Sequence, residues 1–360
     1  MMNDDVKERD ALERAYAGRI VLFGELHDHS YSGGTSDGKC SLDMWKKEMP
    51  VLKMDFAAIL DHRQVRHMYL DEWDDSLFVC GTEPGTSITD SGAEVPNLHY
   101  NMLFPNRGAL ETILSAFPEF EFAGGREGHF TYPRFTTERF GQLIDAVRAH
   151  GGFFVIPHPK QIMASQNPLD YWFRDFTGIE VFYMDLNTKE TEQNYELWMQ
   201  LLAKGKRVWA CAGGDLHNHP GTGALTTLYA RKRCIPSFFP YLRAGDFSCG
   251  NVGIRMLMGQ TRMGGVCSYD DQRLVLAVGD FHDSVLYENH HYHVELWNDR
   301  EMVFRAPLDP LRMNYFAVDT DPSAGFYRAE VWDEDRRYRT DTVGYRIAIG
   351  NPIWRKGWKP

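Results

Sequence analysis

The chain has 360 residues, of which 43% are hydrophobic and 25% charged, as is usual for a globular protein and unlike a disordered one. Its 39 basic and 50 acidic residues leave a formal net charge of −11, which argues against binding along a nucleic-acid backbone. No run approaches the roughly 18 apolar residues of a membrane span, and the acidic start MMNDDVKERD is unlike a secretory signal. We therefore expect a cytoplasmic protein with neither a membrane nor a nucleic acid as its partner.

The first two thirds of the chain alternate short apolar runs with amphipathic segments. Ser41 can cap a helix over residues 41–53, although Pro50 must end or kink it. Apolar residues at helical spacing predict two further helices, over residues 136–152 and about 190–204. Strands that alternate with helices indicate a parallel α/β layer, either open or closed into a barrel. The predicted strands lie at residues 18–26, 55–60, 77–83, 97–104, 153–157, 178–184 and 207–214.

The pattern changes after about residue 250. Short segments with partly alternating polarity, separated by turn residues, are typical of a β-sandwich. We therefore divide the chain into an α/β domain at residues 1–250 and an all-β domain at residues 251–360. The second domain could form one wall of a substrate cleft or a dimer interface. The sequence does not decide between these roles, and it leaves the oligomeric state open.

Histidine and carboxylate residues recur directly after the apolar runs. His27 and His29 are two residues apart, so on an extended segment both imidazoles point to the same side and can reach one metal ion. Each such residue alone is explained equally well as a surface polar group, but their number at strand ends favours a common site. The carboxyl ends of parallel strands are where α/β folds build active sites. The further candidates are Asp37, His62, Glu83, His99, His158, Asp215 and His217.

The order of these motifs resembles that of the PHP (polymerase and histidinol phosphatase) family. The resemblance covers about residues 20–220 and rests on His27-Asp28-His29, Ser36-Asp37-Gly38, Asp61-His62, Glu83, His99, His158-Pro159 and Asp215-Leu216-His217. It implies a distorted seven-stranded β/α barrel with a metal cluster at one mouth. It also implies a trinuclear metal centre that binds two to three divalent transition-metal ions.

The resemblance further implies which residues share an ion. The three sets are His27, His29, Glu83 and Asp215 for the first ion, Asp37, His62 and His217 for the second, and Glu83, His99 and His158 for the third. Glu83 would bridge between ions, and Asp37 stands where many relatives have histidine. All donors are nitrogen or oxygen, which suits zinc, manganese or iron. No ligand of the family set is missing, which argues against a degenerate member without activity.

This ligand set predicts a metal-dependent phosphoesterase that cleaves a small phosphorylated metabolite. The nucleophile would be a hydroxide formed on the metal ions, because bound metal lowers the pKa of water toward neutrality. The residues expected to hold that water through the metals are His27, His29, Glu83, Asp215 and His217. Two other classes stay open: a PHP-like hydrolase of a non-phosphate ester or carbamate, and a binding or regulatory module that keeps its metals without turnover. The substrate, the native metal and the acid that protonates the leaving group are unassigned.

Two basic residues follow predicted ligands. Arg63 comes directly after His62, and Lys160 comes after His158-Pro159. Arginine can hold phosphate oxygens through two parallel hydrogen bonds, whereas lysine acts as a point charge. We predict that both bind the substrate phosphate, although each could instead pair with a surface carboxylate. Asp61 is expected to orient His62 or a neighbouring ligand.

Overall fold

The computed structural model describes residues 2–90, 95–159, 162, 174–268, 273–338 and 342–360. It shows a mixed α/β fold with one large central sheet and two smaller sheets. The helices with described bounds are α1 (Met2–Ala15), α2 (Leu42–Glu48), α3 (Arg107–Ala116), α4 (Thr137–Ala149), α5 (Lys189–Ala203) and α6 (Phe239–Ala244).

Strands make up most of the regular structure and continue to the end of the chain. The first eleven are β1 (Ile20–Asp28), β2 (Phe56–Ile59), β3 (Phe78–Thr82), β4 (Gly85–Ile88), β5 (Val95–His99), β6 (Asn101–Phe104), β7 (Arg134–Phe135), β8 (Phe153–Ile156), β9 (Gly178–Tyr183), β10 (Trp209–Gly213) and β11 (Thr226–Ala230). The others are β12 (Phe247–Gly250), β13 (Val252–Met258), β14 (Thr261–Arg262), β15 (Val266–Cys267), β16 (Arg273–Phe281), β17 (Tyr292–Asn298), β18 (Met302–Leu308), β19 (Asn314–Asp319), β20 (Phe326–Tyr338) and β21 (Thr342–Arg355).

The predicted helix starts are visible as side-chain caps. The Ser41 hydroxyl accepts the backbone N–H of Met44 at 3.2 Å, and α2 ends before Pro50, which has no N–H to continue it. The Thr136 hydroxyl likewise accepts the N–H of Arg139 at 3.2 Å at the start of α4. These two caps place both helices within the predicted segments.

The central sheet contains the strands that lead to the predicted site. Its hydrogen-bonded order is β10-β9-β8-β6-β3-β2-β1-β11-β12-β21-β20-β17-β18, with β15 paired to β21. The smaller sheets have the orders β14-β13-β16-β19 and β5-β4-β7. Strand β1 pairs in parallel with β2, and β2 with β3; β8 and β10 both pair in parallel with β9.

One strand departs from the predicted parallel layer. Strand β6 lies antiparallel to both β3 and β8, between the two parallel groups. The chain reaches β6 from β3 through the short strands β4 and β5, without the crossover helix that a parallel return requires. The single strand expected at residues 97–104 is therefore two strands in two different sheets, with Tyr100 between them.

The central sheet continues through the boundary proposed near residue 250. Strand β12 pairs with β11 on one side and with β21 on the other, both antiparallel. One buried apolar cluster also contains residues from both regions, among them Val65, Phe140 and Val331. The division into 1–250 and 251–360 therefore stays a prediction, as do the seven-stranded barrel and the separate sandwich.

None of the described helices could span a membrane. In this part of the chain, no helix combines the length and the apolar character that crossing a bilayer requires.

Candidate metal centre

The predicted ligands converge at the carboxyl ends of the central strands. His27 lies within β1 and His29 directly follows that strand; Glu83 directly follows β3. His158 and Asp215 each lie two residues beyond their strands, β8 and β10. The backbone joins these ends, because the N–H of Asp215 donates to the carbonyl of His27 at 2.7 Å. Residues far apart in sequence thus meet at one edge of the sheet.

Glu83 is the centre of this cluster, and its side chain is buried. Its two carboxylate oxygens face different histidines. Oε1 lies 2.7 Å from Nδ1 of His99 and 3.1 Å from Nε2 of His158. Oε2 lies 3.1 Å from Nε2 of His27, 3.2 Å from Nε2 of His29 and 3.3 Å from Nδ1 of His62. One carboxylate therefore faces five imidazoles.

Two aspartates extend the cluster toward solvent. Oδ1 of Asp215 lies 3.0 Å from Nε2 of His29 and 3.5 Å from Nε2 of His27. Oδ1 of Asp37 lies 3.1 Å from Nε2 of His217 and 3.6 Å from Nε2 of His62. The structure thus brings all nine predicted ligands into one continuous cluster.

Three overlapping groups of donor atoms are compact enough to hold a metal ion. In each group the donor atoms lie within 4.8 Å of one another. The groups are His27, His29, Glu83 and Asp215; His29, Asp37, His62 and His217; and His62, Glu83 and His99. The first has the composition predicted for the first ion, and the second adds His29 to the predicted set. In the third, His62 takes the place predicted for His158, although His158 also faces Glu83.

The donor groups differ in exposure. In the first group, the side chains of His27, His29 and Glu83 are at most 1% exposed. In the second group, the side chains of Asp37 and His217 are 59% and 28% exposed. The first group is therefore enclosed by protein, whereas the second is open to a ligand from solvent.

Burial and opposite charges act together on the protonation of the cluster. Burial acts to raise the pKa of Glu83, but the surrounding imidazoles, His27 above all, hold that pKa well below its ordinary value. Burial acts to lower the pKa of His29, but Asp215 and Glu83 raise it to about 9. The cluster therefore favours positive charge at its centre, which either protons or divalent cations can provide.

Backbone conformation contributes to the orientation of the His158 and Asp215 side chains. His158 has a φ of 22° and Asp215 a φ of 50°, in the left-handed region that residues other than glycine seldom adopt. Such conformations persist only where the surroundings enforce them, and they concentrate at functional sites. The strand ends here turn sharply, so that both side chains point into the cluster.

Sequence reasoning missed two residues that contact the cluster. Glu180 lies in β9 and is buried; its Oε1 is 3.1 Å from Nδ1 of His27, and its Oε2 accepts the N–H of His158 at 2.9 Å. The Tyr183 hydroxyl donates to Oδ2 of Asp215 at 2.9 Å. The available signal was a carboxylate within the apolar run GIEVFY, where a charge needs a buried partner. Gly213 makes room for it, since a Cβ there would overlap the Glu180 carboxylate.

Three further residues were singled out in the sequence, namely Lys160, Arg63 and Asp61. Lys160 lies outside the described residues. Arg63 is half-buried beside His62, and its backbone is also left-handed, with a φ of 51°. Among the described residues, the Asp61 carboxylate has no hydrogen bond or ion pair with a predicted ligand: it accepts the N–H and the hydroxyl of Ser30 at 2.7 and 2.8 Å, and so shapes the loop after β1.

A second group of histidines lies at the start of β17. Nδ1 of His290 is 2.8 Å from Asp333, and Nδ1 of His291 is 2.7 Å from Asp335. Both aspartates belong to strand β20, more than 40 residues further along the chain, so their contacts with these histidines are not visible in the sequence. Among the described residues, no compact donor group includes these histidines. Their contacts join the segment before β17 to strand β20.

Comparisons with known proteins found similar solved structures only. No family model and no curated protein matches this chain. A two-domain protein from Bacteroides vulgatus, which contains a predicted PHP-like metal-dependent phosphoesterase, matches 92% of this chain and 96% of its own, with 13% identity and a TM-score of 0.43. An amidohydrolase from Chromobacterium violaceum matches 56% of this chain and 89% of its own, with 16% identity and a TM-score of 0.34. The description of the Bacteroides vulgatus protein thus names the PHP family, which the motif order also resembles.

Endonuclease Q is a third similar protein, and it corrects one expectation. The Pyrococcus furiosus enzyme matches 62% of this chain and 56% of its own, with 10% identity and a TM-score of 0.42. A second structure, at 8% identity, a TM-score of 0.43 and coverage of 62% and 57%, holds a 27-mer duplex with an abasic lesion at the active site. The exclusion of nucleic acid as a partner was therefore wrong. Net charge averages over a whole surface, whereas a phosphate is bound locally by a few cationic groups.

Proposed function

We propose that this chain is a PHP-type metal-dependent hydrolase, and that its reaction is the hydrolysis of a phosphoester. The observation that carries the proposal is the position of Glu83 among five imidazoles, with Asp215 and Asp37 at the edge of the same cluster. A structural role alone does not require so many ionisable groups at one strand edge. We propose two to three divalent ions as cofactors, with zinc, manganese and iron as the candidates.

The donor set fits such ions. The donors are imidazole nitrogens and carboxylate oxygens without a thiolate, as metal-dependent hydrolases use and structural zinc sites mostly do not. Glu180 meets a second requirement, because metal-binding histidines usually donate their other ring N–H to a carboxylate or carbonyl. Bound divalent ions would polarise a phosphoryl oxygen and lower the pKa of water.

The protein side chains would supply binding and orientation. Asp37, His62 and His217 lie at the open side, where a substrate can enter from solvent. Among the described residues, Arg63 has no carboxylate within ion-pair distance, so its guanidinium is available to a phosphate oxygen. Lys160 stays a prediction in the same role. The substrate class is a small phosphorylated molecule that reaches the cluster from this side.

The proposed barrel uses the seven strands β10-β9-β8-β6-β3-β2-β1. A parallel bridge between Asp28 and Leu216 supports closure, since it joins the end of β1 to the segment after β10. The N–H of His29 also donates to the carbonyl of Leu216, at 3.2 Å. For residues 251–360 we propose a β-sandwich; their described regular elements are strands and one 3₁₀ turn at Asp283–Val285.

The decisive experiment combines metal analysis with a substrate panel. Wild-type protein and Glu83→Gln are purified without chelator, and their bound transition metals are counted by elemental analysis. Both proteins are then assayed on an aryl phosphomonoester, an aryl carboxylic ester and a 27-mer duplex with an abasic site. We expect about two to three ions in the wild type and hydrolysis of a phosphoester that Glu83→Gln loses.

The other outcomes distinguish the alternatives. Turnover of the carboxylic ester without turnover of either phosphate substrate would favour the non-phosphate hydrolase. A full metal complement with no turnover would favour a binding or regulatory module. Less than one ion per chain after reconstitution would overturn the proposal.

A further inference from the structure

A cavity of about 380 Å³ lies at the opposite ends of the central strands from the metal centre. Its lining includes Trp209, which begins β10, and Phe176, which precedes β9. Asp215 follows the other end of β10. It is six residues from Trp209, which corresponds to about 20 Å along an extended chain. This volume lies within the range of small-molecule sites. The cavity is therefore separate from the proposed catalytic cluster.

Three arginines line this cavity: Arg148, Arg243 and Arg262. Among the described residues that line it, Asp246 is the only carboxylate; it is buried and already bound by other groups. Oδ2 of Asp246 lies 2.8 Å from Arg19 and 2.7 Å from Arg262, and Oδ1 accepts the hydroxyl of Tyr16 at 3.2 Å. Its charge is thus shared between two guanidinium groups.

Arg148 and Arg243 remain without an acidic partner among the described residues. The Arg243 guanidinium has only two long hydrogen bonds, at 3.4 Å to the carbonyls of Phe239 and Arg148. The Arg148 guanidinium lies over the ring of Phe176, 4.6 Å from its centroid. Stacking orders a guanidinium but leaves its N–H groups available at the edge. Two arginines without a described acidic partner thus line one cavity.

We propose that this cavity binds the oxyanion group of a small molecule, a phosphate or a carboxylate, between Arg148 and Arg243. The planar fork of arginine matches both oxyanions through paired N–H···O hydrogen bonds. The buried indole of Trp209 forms an apolar floor, and low polarity strengthens charge attraction. Because Arg148 is already stacked on Phe176, less conformational entropy is lost when the anion binds.

The first test is calorimetric titration of the metal-loaded protein with inorganic phosphate. The double variant Arg148→Gln/Arg243→Gln should lose one binding event, or bind it at least about tenfold more weakly, because charge-assisted hydrogen bonds are lost. Glu83→Gln should keep that event, since it changes only the metal centre. The charge-matched control Arg300→Gln/Arg312→Gln, whose arginines pair with Asp321 and Asp309, should bind phosphate as the wild type does. Equal isotherms for the wild type and the Arg148/Arg243 variant, both with inorganic phosphate and with benzoate, would overturn the proposal.

A second measurement needs no variant and so does not depend on its folding. Wild-type protein is modified with phenylglyoxal, an arginine reagent, with and without inorganic phosphate, and the modified residues are identified by mass spectrometry. Phosphate should protect Arg148 and Arg243 but not Arg300. The modification and the calorimetric titration are then both repeated with benzoate in place of phosphate, which distinguishes a carboxylate ligand from a phosphate ligand. Absence of protection by both anions would contradict the site, whatever the outcome for the metal centre.

Discussion

Oε1 of Glu180 lies 3.1 Å from Nδ1 of His27, and both side chains are buried. The other oxygen of Glu180 accepts the backbone N–H of His158. One carboxylate on β9 therefore positions two predicted ligands that come from β1 and from the end of β8. The contact to Nδ1 leaves Nε2 of His27 to face Glu83 and Asp215. Glu180 is thus a positioning residue rather than a predicted ligand.

We expect Glu180→Gln to weaken metal binding by about 10–100-fold, the usual cost of losing a carboxylate behind a ligand histidine. The change keeps the shape of the side chain but removes the charge that orients His27. Metal affinity is measured by competition with a chromogenic chelator. Glu196→Gln, on the exposed face of α5, is the matched control and should bind metal as the wild type does. Equal affinities for Glu180→Gln and the control would show that Glu180 only fills space.

We expect Asp37→Asn to lose one ion per chain while the enclosed group keeps its own. Asp37 contacts only His62 and His217 in the cluster, and its side chain is 59% exposed. His27→Ala, by contrast, should remove the ion of the enclosed group. Elemental analysis after dialysis checks both variants. Identical metal content in the two variants and the wild type would contradict the ligand assignment.

We expect Arg63→Gln to lower kcat/KM for a phosphoester by roughly 10²–10³-fold, the cost of one lost donor to transition-state charge. Metal content should stay the same, because Arg63 is not among the donor groups. Arg66→Gln is the control, since Arg66 pairs with Glu127 at 3.0 Å. If both variants turn over the phosphoester normally, Arg63 is a surface charge without a role in substrate binding.

We expect His282 to make the free energy of unfolding depend on pH. Burial lowers the pKa of His282 from its ordinary value of 6.5, and its Nε2 lies 2.8 Å from the carbonyl of Leu52. As the pH falls below 6.5, this histidine therefore takes up its proton more readily in the unfolded chain than in the folded chain. This contribution to the free energy of unfolding is complete above pH 6.5 and is lost as the pH falls through the lowered value.

Urea unfolding at pH 7.5, 6.5 and 5.5 checks this expectation. His282→Gln cannot titrate but keeps an N–H donor for the Leu52 carbonyl, so its stability should fall less between pH 6.5 and 5.5. Above pH 6.5, the free energy of unfolding should change with pH to nearly the same extent in the two proteins. Parallel curves over the whole range would show that His282 does not contribute to the acid sensitivity.

Local patterns in the sequence were enough for several elements. Ser41 and Thr136 cap the two helices in the predicted segments, and Phe153–Ile156 forms strand β8 within the strand predicted at residues 153–157. Capping and alternation depend on neighbouring residues, which the sequence displays directly. The direction of β6 was not predictable in this way. It depends on the route of the chain between β3 and β6, and the strand itself has no local mark of direction.

The candidate site shows the same division. The order of histidines and carboxylates, through its resemblance to the PHP family, predicted nine residues in one cluster, and several of them lie where neighbouring strands end. Glu180 was hidden because its contact with His27 joins residues 153 positions apart, and within GIEVFY it has no motif around it. The arginine-lined cavity was hidden for the same reason, since Arg148 and Arg243 come together only through the packing of α4 and α6 against the strands. The sequence alone determined the chemistry of the donors, whereas the tertiary structure decided which distant charges are paired and which are left without a partner.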